Sequence, residues 1–357
     1  MAEPAHTRTG KYRLVATEEA FATEEQFEGY RRLQKSLWND PDLELWKIVF
    51  EKVHTIRDRC LDLDRERLEI MDANGVDMHV LSLTSPGVQQ FDADTAMALA
   101  ADANDQLAEA VKRHPTRFAG LASFAPQDPA GAAKEIDRAI NKLGLHGLIV
   151  NSHTNGEYLD QHKFWPIFEA AVACNAAVYI HPRNPPAVVA EFLRAEVNLW
   201  NAIWGFQQET GLHAMRLIVS GIFDEFPKLK IVLGHMGEAL PYWRYRMNFM
   251  YRVASGIYNT SGTGRPPLKR QPSEYLQDNF LITTSGMNDH AVLKYCDEVL
   301  GADNIMYAID YPWQGTEEAV QFINSAPLPA ASMEKITHLN AERFFHIGTA
   351  AAATGDK

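Results

Sequence analysis

The sequence predicts one α/β domain, a single (β/α)8 barrel of the TIM type with long loop excursions after strands 1 and 5. Three observations carry this expectation. Eight short apolar runs succeed one another along the 357 residues, with helix-patterned segments between them, the alternation that gives a parallel sheet closed by helices. The last of these runs, Ile305–Ile309, has no turn residue inside it, as a strand buried on both faces requires. Four of them end in a side chain able to bind a metal or move a proton, namely Glu18, His181, His235 and Asp310, and the carboxyl ends of barrel strands are where such folds place their chemistry. Neither an internal repeat nor an interdomain linker is visible, so one domain over 12–346 is expected, with flexible tails at 1–11 and 347–357.

Tyr12–Thr17 reads as the first strand, ending at Glu18-Glu19, whose side chains alternation sends to opposite faces. Thr23 to about Arg59, with Trp38, Trp46 and Phe50, is too long for a bare loop and reads as a lid or subunit-contact excursion. Asp64–Asn74 is a helix stopped by Gly75, and Val76–Leu83 is the second strand. The Ala-rich helix Asp92–His114 leads to the third strand, Phe118–Phe124. Pro129–Leu143, with proline in its first turn, leads to the fourth, Leu145–Val150, which ends in Asn151-Ser152-His153. The helix Phe164–Cys174 precedes the fifth strand, Ala176–Ile180, which ends in His181-Pro182. Arg183–Gln208 is the second excursion. A helix over Thr210–Phe223, the sixth strand Lys230–Leu233, and a helix from Glu238 to about Ser255 follow. Gly256–Gln271 is Gly/Pro-rich and reads as a surface loop. Asn279–Thr284 is the seventh strand, Asp289–Leu300 its helix, and Ile305–Ile309 the eighth strand, which Pro312 prevents from running far past Asp310. Glu317–Asn324 and Met333–Phe345 are closing helices.

Composition narrows the function. The chain is 46% hydrophobic and carries a net charge of −12, with no basic stripe longer than Leu268-Lys269-Arg270, which argues against nucleic acid as a partner. No apolar stretch approaches the roughly 20 residues that cross a bilayer, so no membrane partner is expected. Cys60, Cys174 and Cys296 are far apart and odd in number, which suits a reducing cytoplasm and offers no thiolate metal site.

Glu18, His181 and Asp310 together make a hard, oxygen-rich donor set suited to one divalent ion, Mn²⁺, Mg²⁺ or Zn²⁺. The plainer alternatives are an exposed glutamate beside Glu19 and a turn cap before Pro312. His235 lies three residues before Glu238, close enough for the carboxylate to orient the ring. Arg244 and Arg246 follow, and either can pin a carboxylate, although Arg244 reads better as part of a solvated face. Trp313 is placed to wall an aromatic substrate or to pack at the barrel rim.

Glu18-Glu19-Ala20-Phe21, Asn151-Ser152-His153-Thr154, Tyr179-Ile180-His181-Pro182, the run Gly234 to Trp243, and Ala308-Ile309-Asp310-Tyr311-Pro312 resemble the decarboxylase branch of the amidohydrolase superfamily. Within it the chain is most similar to 5-carboxyvanillate decarboxylases, and less so to those acting on γ-resorcylate and 2,3-dihydroxybenzoate. The resemblance spans about Tyr12 to Phe345. It implies a cytoplasmic homodimer or homotetramer of aromatic catabolism, including lignin degradation, that removes CO₂ from an ortho-hydroxybenzoate by ring protonation and C–C cleavage. It implies Glu18, His181 and Asp310 as metal ligands, Asp310 as proton donor, His235 and Glu238 as a catalytic pair, and Arg246, Trp313 and His235 as contacts to a small aromatic carboxylate. Many superfamily members have a second ligand histidine where this chain has Ala20. Its loss hardens the site and favours Mn²⁺ over Zn²⁺. No lysine ends the fourth strand, which points to one metal ion. A metal-dependent hydrolase of a lactone or amide on the same barrel, and a barrel retained as a scaffold, are the competing readings.

Overall fold

The computed structural model describes residues 11–36, 40–260 and 267–348. The tail expectations for 1–10 and 349–357, Trp38, and the middle of the expected Gly256–Gln271 loop lie outside the described residues. Eight parallel strands pair in chain order: β1 Val15–Phe21, β2 Met78–Leu83, β3 Phe118–Ser123, β4 Gly147–Asn151, β5 Val178–His181, β6 Ile231–Leu233, β7 Phe280–Thr283 and β8 Ile305–Met306. The ring closes where Thr17 N donates to Tyr307 O (3.1 Å) and Ala20 N to Tyr311 O (2.7 Å).

The barrel interior is filled by Val15, Val80, Leu121, Ile149, Tyr179, Val232, Leu281 and Met306, and its N-terminal end is plugged by Ala341, Phe345 and Ile347. Gly147 makes room for that plug, because a Cβ there would lie 3.0 Å from the Phe345 ring. The larger core lies between the strands and the outer helices.

Two expectations about the strands need correction. β1 extends through Glu18 and Glu19 to Phe21 instead of stopping at Thr17, because Ala20 and Phe21 still pair with β2. Its register slips between Ala16 and Glu19, a bulge that lies beside the two glutamates. β8 keeps its ladder with β7 for only two residues. Beyond Met306 side chains take over: Ala308 N donates to Thr284 Oγ1 (3.0 Å), and Ile309 N and Tyr311 N donate to Glu19.

The first excursion holds three helices, Glu24–Leu33, Pro41–Lys52 and His54–Leu61. The second holds a single helical turn, Ala187–Ala190, and a short 3-10 segment, Glu191–Leu193, before the helix Gly205–Ser220, which starts five residues earlier than expected. The helix expected from Glu238 runs over Leu240–Thr260, so residues 256–260 are helical and not loop. A helix over Pro272–Asn279, with proline at its start and a capping box from Gln271 and Glu274, was not anticipated.

Candidate metal centre and active site

Glu18, His181 and Asp310 come together at the carboxyl end of the barrel, with one donor atom from each lying within 4.8 Å of the others. Glu18 points in from the β1 bulge, His181 is the last residue of β5, and Asp310 follows β8. His181 Nε2 is 3.3 Å from Glu18 Oε1. Donors about 3 Å apart are what a shared ion with bonds of about 2.1 Å requires.

The donor chemistry fits a cation. Glu18 uses one oxygen for the fold: Tyr179 and Ser285 hydroxyls donate to its Oε2, as does Thr283 Oγ1 at 3.0 Å. Its other oxygen, Oε1, is buried and has no hydrogen-bond donor among the described residues. An ionised oxygen left that way is costly unless a cation meets it. His181 Nδ1 donates to the Pro182 carbonyl at 2.7 Å, which fixes the tautomer and leaves Nε2 with a free lone pair toward Glu18, the outer-sphere arrangement of metal-binding imidazoles. Gly234 is required here, since a Cβ would stand 2.8 Å from Glu18 Oε2.

His235 completes the cluster, its Nε2 lying 3.8 Å from Glu18 Oε1 and 4.0 Å from Asp310 Oδ2. Its Nδ1 donates to Glu238 Oε1 at 2.8 Å. The pair sits on an unusual backbone. His235, Met236, Gly237, Glu238 and Ala239 all have positive φ, between 49° and 77°, so residues 235–239 form one left-handed turn.

The charges are interlocked. Burial pushes the Glu18 carboxyl up, but His235 and His181 beside it, with the Ser285 and Tyr179 hydroxyls, outweigh burial and hold it below the ordinary range. Burial raises Asp310, opposed by His235 and reinforced by Glu18. Burial works against charge on His235, yet Glu238 and Glu18 overcome it and raise its pKa well above normal.

Above the cluster is a cavity of about 280 Å³. Trp313 lines it and packs edge-on against Trp46 of the first excursion, centroids 5.8 Å apart. Leu45, Phe206 and Met287 add apolar wall, and Asn201, Gln207 and Gln314 add polar edges. Asp42, from the first excursion, is buried against the second: Arg183 Nε and Nη2 donate to its Oδ2 at 2.9 and 2.5 Å, and Asn184 N and Nδ2 to its Oδ1 at 3.0 and 2.9 Å.

The sequence-predicted residues Glu18, His181, His235, Glu238, Asp310 and Trp313 therefore share one site. Arg246 does not join them. It is exposed on the helix Leu240–Thr260 and does not line the cavity. Arg244 is half-buried rather than solvated. Tyr179, Thr283 and Ser285, which hold Glu18, and Asp42 and Arg183, which join the excursions, were not foreseen. Strand alternation was the available signal for the first three, since Tyr179 is two residues before His181 and Ser285 two after Thr283.

A family model described as Amidohydrolase matches residues 40–347. The γ-resorcylate decarboxylase of Polaromonas sp. (strain JS666) is 36% identical over 340 residues, 93% of this chain and 98% of that protein. The crystal structure of 5-carboxyvanillate decarboxylase LigW from Sphingomonas paucimobilis superimposes with a TM-score of 0.90 at 48% identity, covering 94% of this chain and all of that one. The 5-carboxyvanillate decarboxylase of Novosphingobium aromaticivorans, complexed with manganese and 4-hydroxy-3-methoxy-5-nitrobenzoic acid, matches with a TM-score of 0.89 at 42% identity, covering 95% and 98%.

Proposed function

The chain belongs to the amidohydrolase family, and from that premise we propose that it converts 5-carboxyvanillate to vanillate and CO₂. At the coarser level it is a carboxy-lyase, a metal-dependent decarboxylase of hydroxybenzoic acids, as its relatives are. The observation that carries the reading is the convergence of Glu18, His181 and Asp310 beneath an aromatic-walled cavity. The finer choice of substrate rests on the likeness to 5-carboxyvanillate decarboxylases.

Glu18, His181 and Asp310 would hold one Mn²⁺, a choice supported by two carboxylates beside a single imidazole and by manganese in the related structures. The bound ion supplies a Lewis acid and a template for the substrate's phenol and carboxylate oxygens. Asp310, facing the cavity, gives its proton to the ring carbon that carries the departing carboxylate. The C–C bond then breaks, its electron pair returns to the ring, and CO₂ leaves as aromaticity is restored. His235, anchored by Glu238, holds the substrate oxygens and stands near enough to Asp310 to influence its proton. Trp313, backed by Trp46, confines the ring, which orients it for transfer.

5-Carboxyvanillate has a second carboxylate, yet among the described residues the acidic side chains lining the cavity are Asp42, Glu238 and Asp310, and neither lysine nor arginine lines it. Arg246 keeps a substrate-binding role only if it serves the cavity of a second copy. We therefore propose the two together: a homo-oligomer in which the helix Leu240–Thr260, with Tyr242, Tyr245 and Ile257 exposed, lies at a subunit contact. Mixing an Arg246→Ala variant with an inactive Asp310→Asn variant tests this. Recovered activity on mixing supports a shared site; none places Arg246 outside it. The barrel domain is assigned to 12–346, and a cytoplasmic setting accords with the free Cys60, Cys174 and Cys296.

The deciding assay supplies Mn²⁺ and follows the ultraviolet spectrum and CO₂ release with 5-carboxyvanillate, γ-resorcylate and 2,3-dihydroxybenzoate. Chelator-sensitive turnover, fastest on the first, is expected. Lactone opening without CO₂ from any of the three would overturn the proposal in favour of a hydrolase.

A further inference from the structure

We infer that Glu19, the neighbour of the metal-facing Glu18, is the positioning residue for Asp310. Glu19 is fully buried and does not line the cavity. Its two oxygens accept the two backbone N–H groups that flank Asp310: Oε1 from Ile309 at 2.9 Å and Oε2 from Tyr311 at 3.0 Å. In a flat strand those amides stand too far apart for one carboxylate. Asp310 has φ 75°, and this left-handed residue draws them together around the Glu19 carboxyl group, in the concave geometry of a backbone nest. The Asp310 carbonyl is held as well, accepting from Trp313 N at 2.8 Å and Gln314 N at 2.9 Å. The backbone at 310 is thus clamped on both sides, and the side chain's direction follows from the clamp.

The setting supports a dedicated role. At this point the chain has left the β7 ladder, so without Glu19 the amides of Ile309 and Tyr311 would be buried donors seeking acceptors. A non-glycine residue persists at positive φ only where its surroundings over-determine it. The buried Arg67 donates to Ala20 O at 2.7 Å and lies over the Tyr311 ring at 4.6 Å, which places a positive charge beside the Glu19 carboxylate. The β1 bulge therefore delivers adjacent glutamates to two tasks, Glu18 to the ion and Glu19 to the residue opposite.

The inference rests on the metal-centre reading, and its test separates the two. Mn²⁺ is titrated calorimetrically into metal-free wild type, Glu19→Gln, Asp310→Asn and the double variant. Glu19→Gln keeps the shape but turns an amide N–H toward one of the two donors. It is expected to weaken Mn²⁺ binding about 10–100-fold, and to lower kcat far more than it changes KM. On the Asp310→Asn background it is expected to weaken binding no further, because Glu19 acts through Asp310. Glu19→Asp, which keeps both acceptors on a shorter arm, carries the test if Glu19→Gln does not fold, with a smaller loss expected. A folded Glu19 variant that binds Mn²⁺ within twofold of wild type, or a Glu19→Gln loss that persists in full on Asp310→Asn, overturns the inference alone. A wild type that binds no Mn²⁺ overturns the metal centre and the inference with it.

Discussion

Asp310 stands where the demands on a single residue are greatest, serving as ligand, proton donor and left-handed backbone position at once. Asparagine keeps its shape and can still accept hydrogen bonds but cannot give up a carboxyl proton. Asp310→Asn is therefore expected to lower kcat by about 10²–10⁴-fold, the range lost with a general acid, while circular dichroism reports an intact fold. Activity within tenfold of wild type would remove Asp310 from the donor role. Tyr179→Phe tests the support of Glu18. It removes one of three hydroxyls that hold Oε2, and about a tenfold weaker Mn²⁺ affinity is expected. The ligands themselves were legible in the sequence because each ends an apolar run, where a charged or imidazole side chain has no structural reason to be. Glu19 was legible only as the alternate face of Glu18. That it reaches Ile309 just past β8, 290 residues away, depends on a bulge, and a bulge arises from pairing across strands that no local pattern records.

At the scale of elements, the turn at 235–239 spends stability on geometry. Left-handed residues other than glycine cost roughly 1–2 kcal/mol each, and four of the five here are not glycine. Ala239 is the exposed one, so Ala239→Gly should be neutral or stabilise by up to about 1 kcal/mol. Ala108→Gly, in the ordinary helix Ala93–Arg113, should cost about 1 kcal/mol. Urea unfolding of the two variants decides it, and equal losses would mean that the turn relaxes in solution. The joint between the excursions is a second element-scale device. Breaking a buried ion pair by removing one partner costs about 3–5 kcal/mol, which is expected for Asp42→Ala or Arg183→Met. The double variant should lose clearly less than the sum of the two, and additive losses would show that the two side chains act separately. Here the sequence was less informative. The excursions announced themselves by length and aromatic content, but Asp42 and Arg183 are far apart in the chain and resemble any surface pair. The helix before Gly256 ran on because its residues carry no signal strong enough to stop it before Thr260.

For the molecule as a whole, buried titratable groups set the response to pH. Burial holds His146, His153 and His213 neutral, lowering their pKa to about 4, 2 and 3. Below about pH 6.5 the unfolded chain takes up protons that the fold refuses, so these residues make stability fall as pH drops. Burial acts oppositely on Glu209 and Glu19, raised to about 7 and 8. Above about pH 4.5 the fold retains protons that the unfolded chain has released, so stability from them falls as pH rises. Between about pH 4.5 and 6.5 the three histidines outweigh the two glutamates by about one proton, so these groups lower stability by about 1.4 kcal/mol per pH unit of acidification. Below that the glutamates are protonated in both states and, of these five groups, only the histidines act, each by up to about 1.4 kcal/mol per pH unit. The urea midpoint of the metal-free protein should therefore fall modestly from pH 6.5 to 4.5 and more steeply below. A midpoint that climbs on acidification past 4.5 would contradict this.

The closure of the ring between Thr17 and Tyr307 also has a consequence for how the molecule is born. A ribosome adding about 5–20 residues per second needs about 15–60 s to make the 290 residues that separate those partners. Throughout that interval β1 is an open edge in a crowded cell, an apolar ribbon that any other nascent strand can extend. Glu18 and Glu19 sit in the middle of that ribbon. Before the metal and the last strand arrive, both are charged and hydrated, and their burial in a stray sheet would be costly. The same two carboxylates that organise the finished site thus guard the unfinished chain until its own eighth strand emerges to claim them.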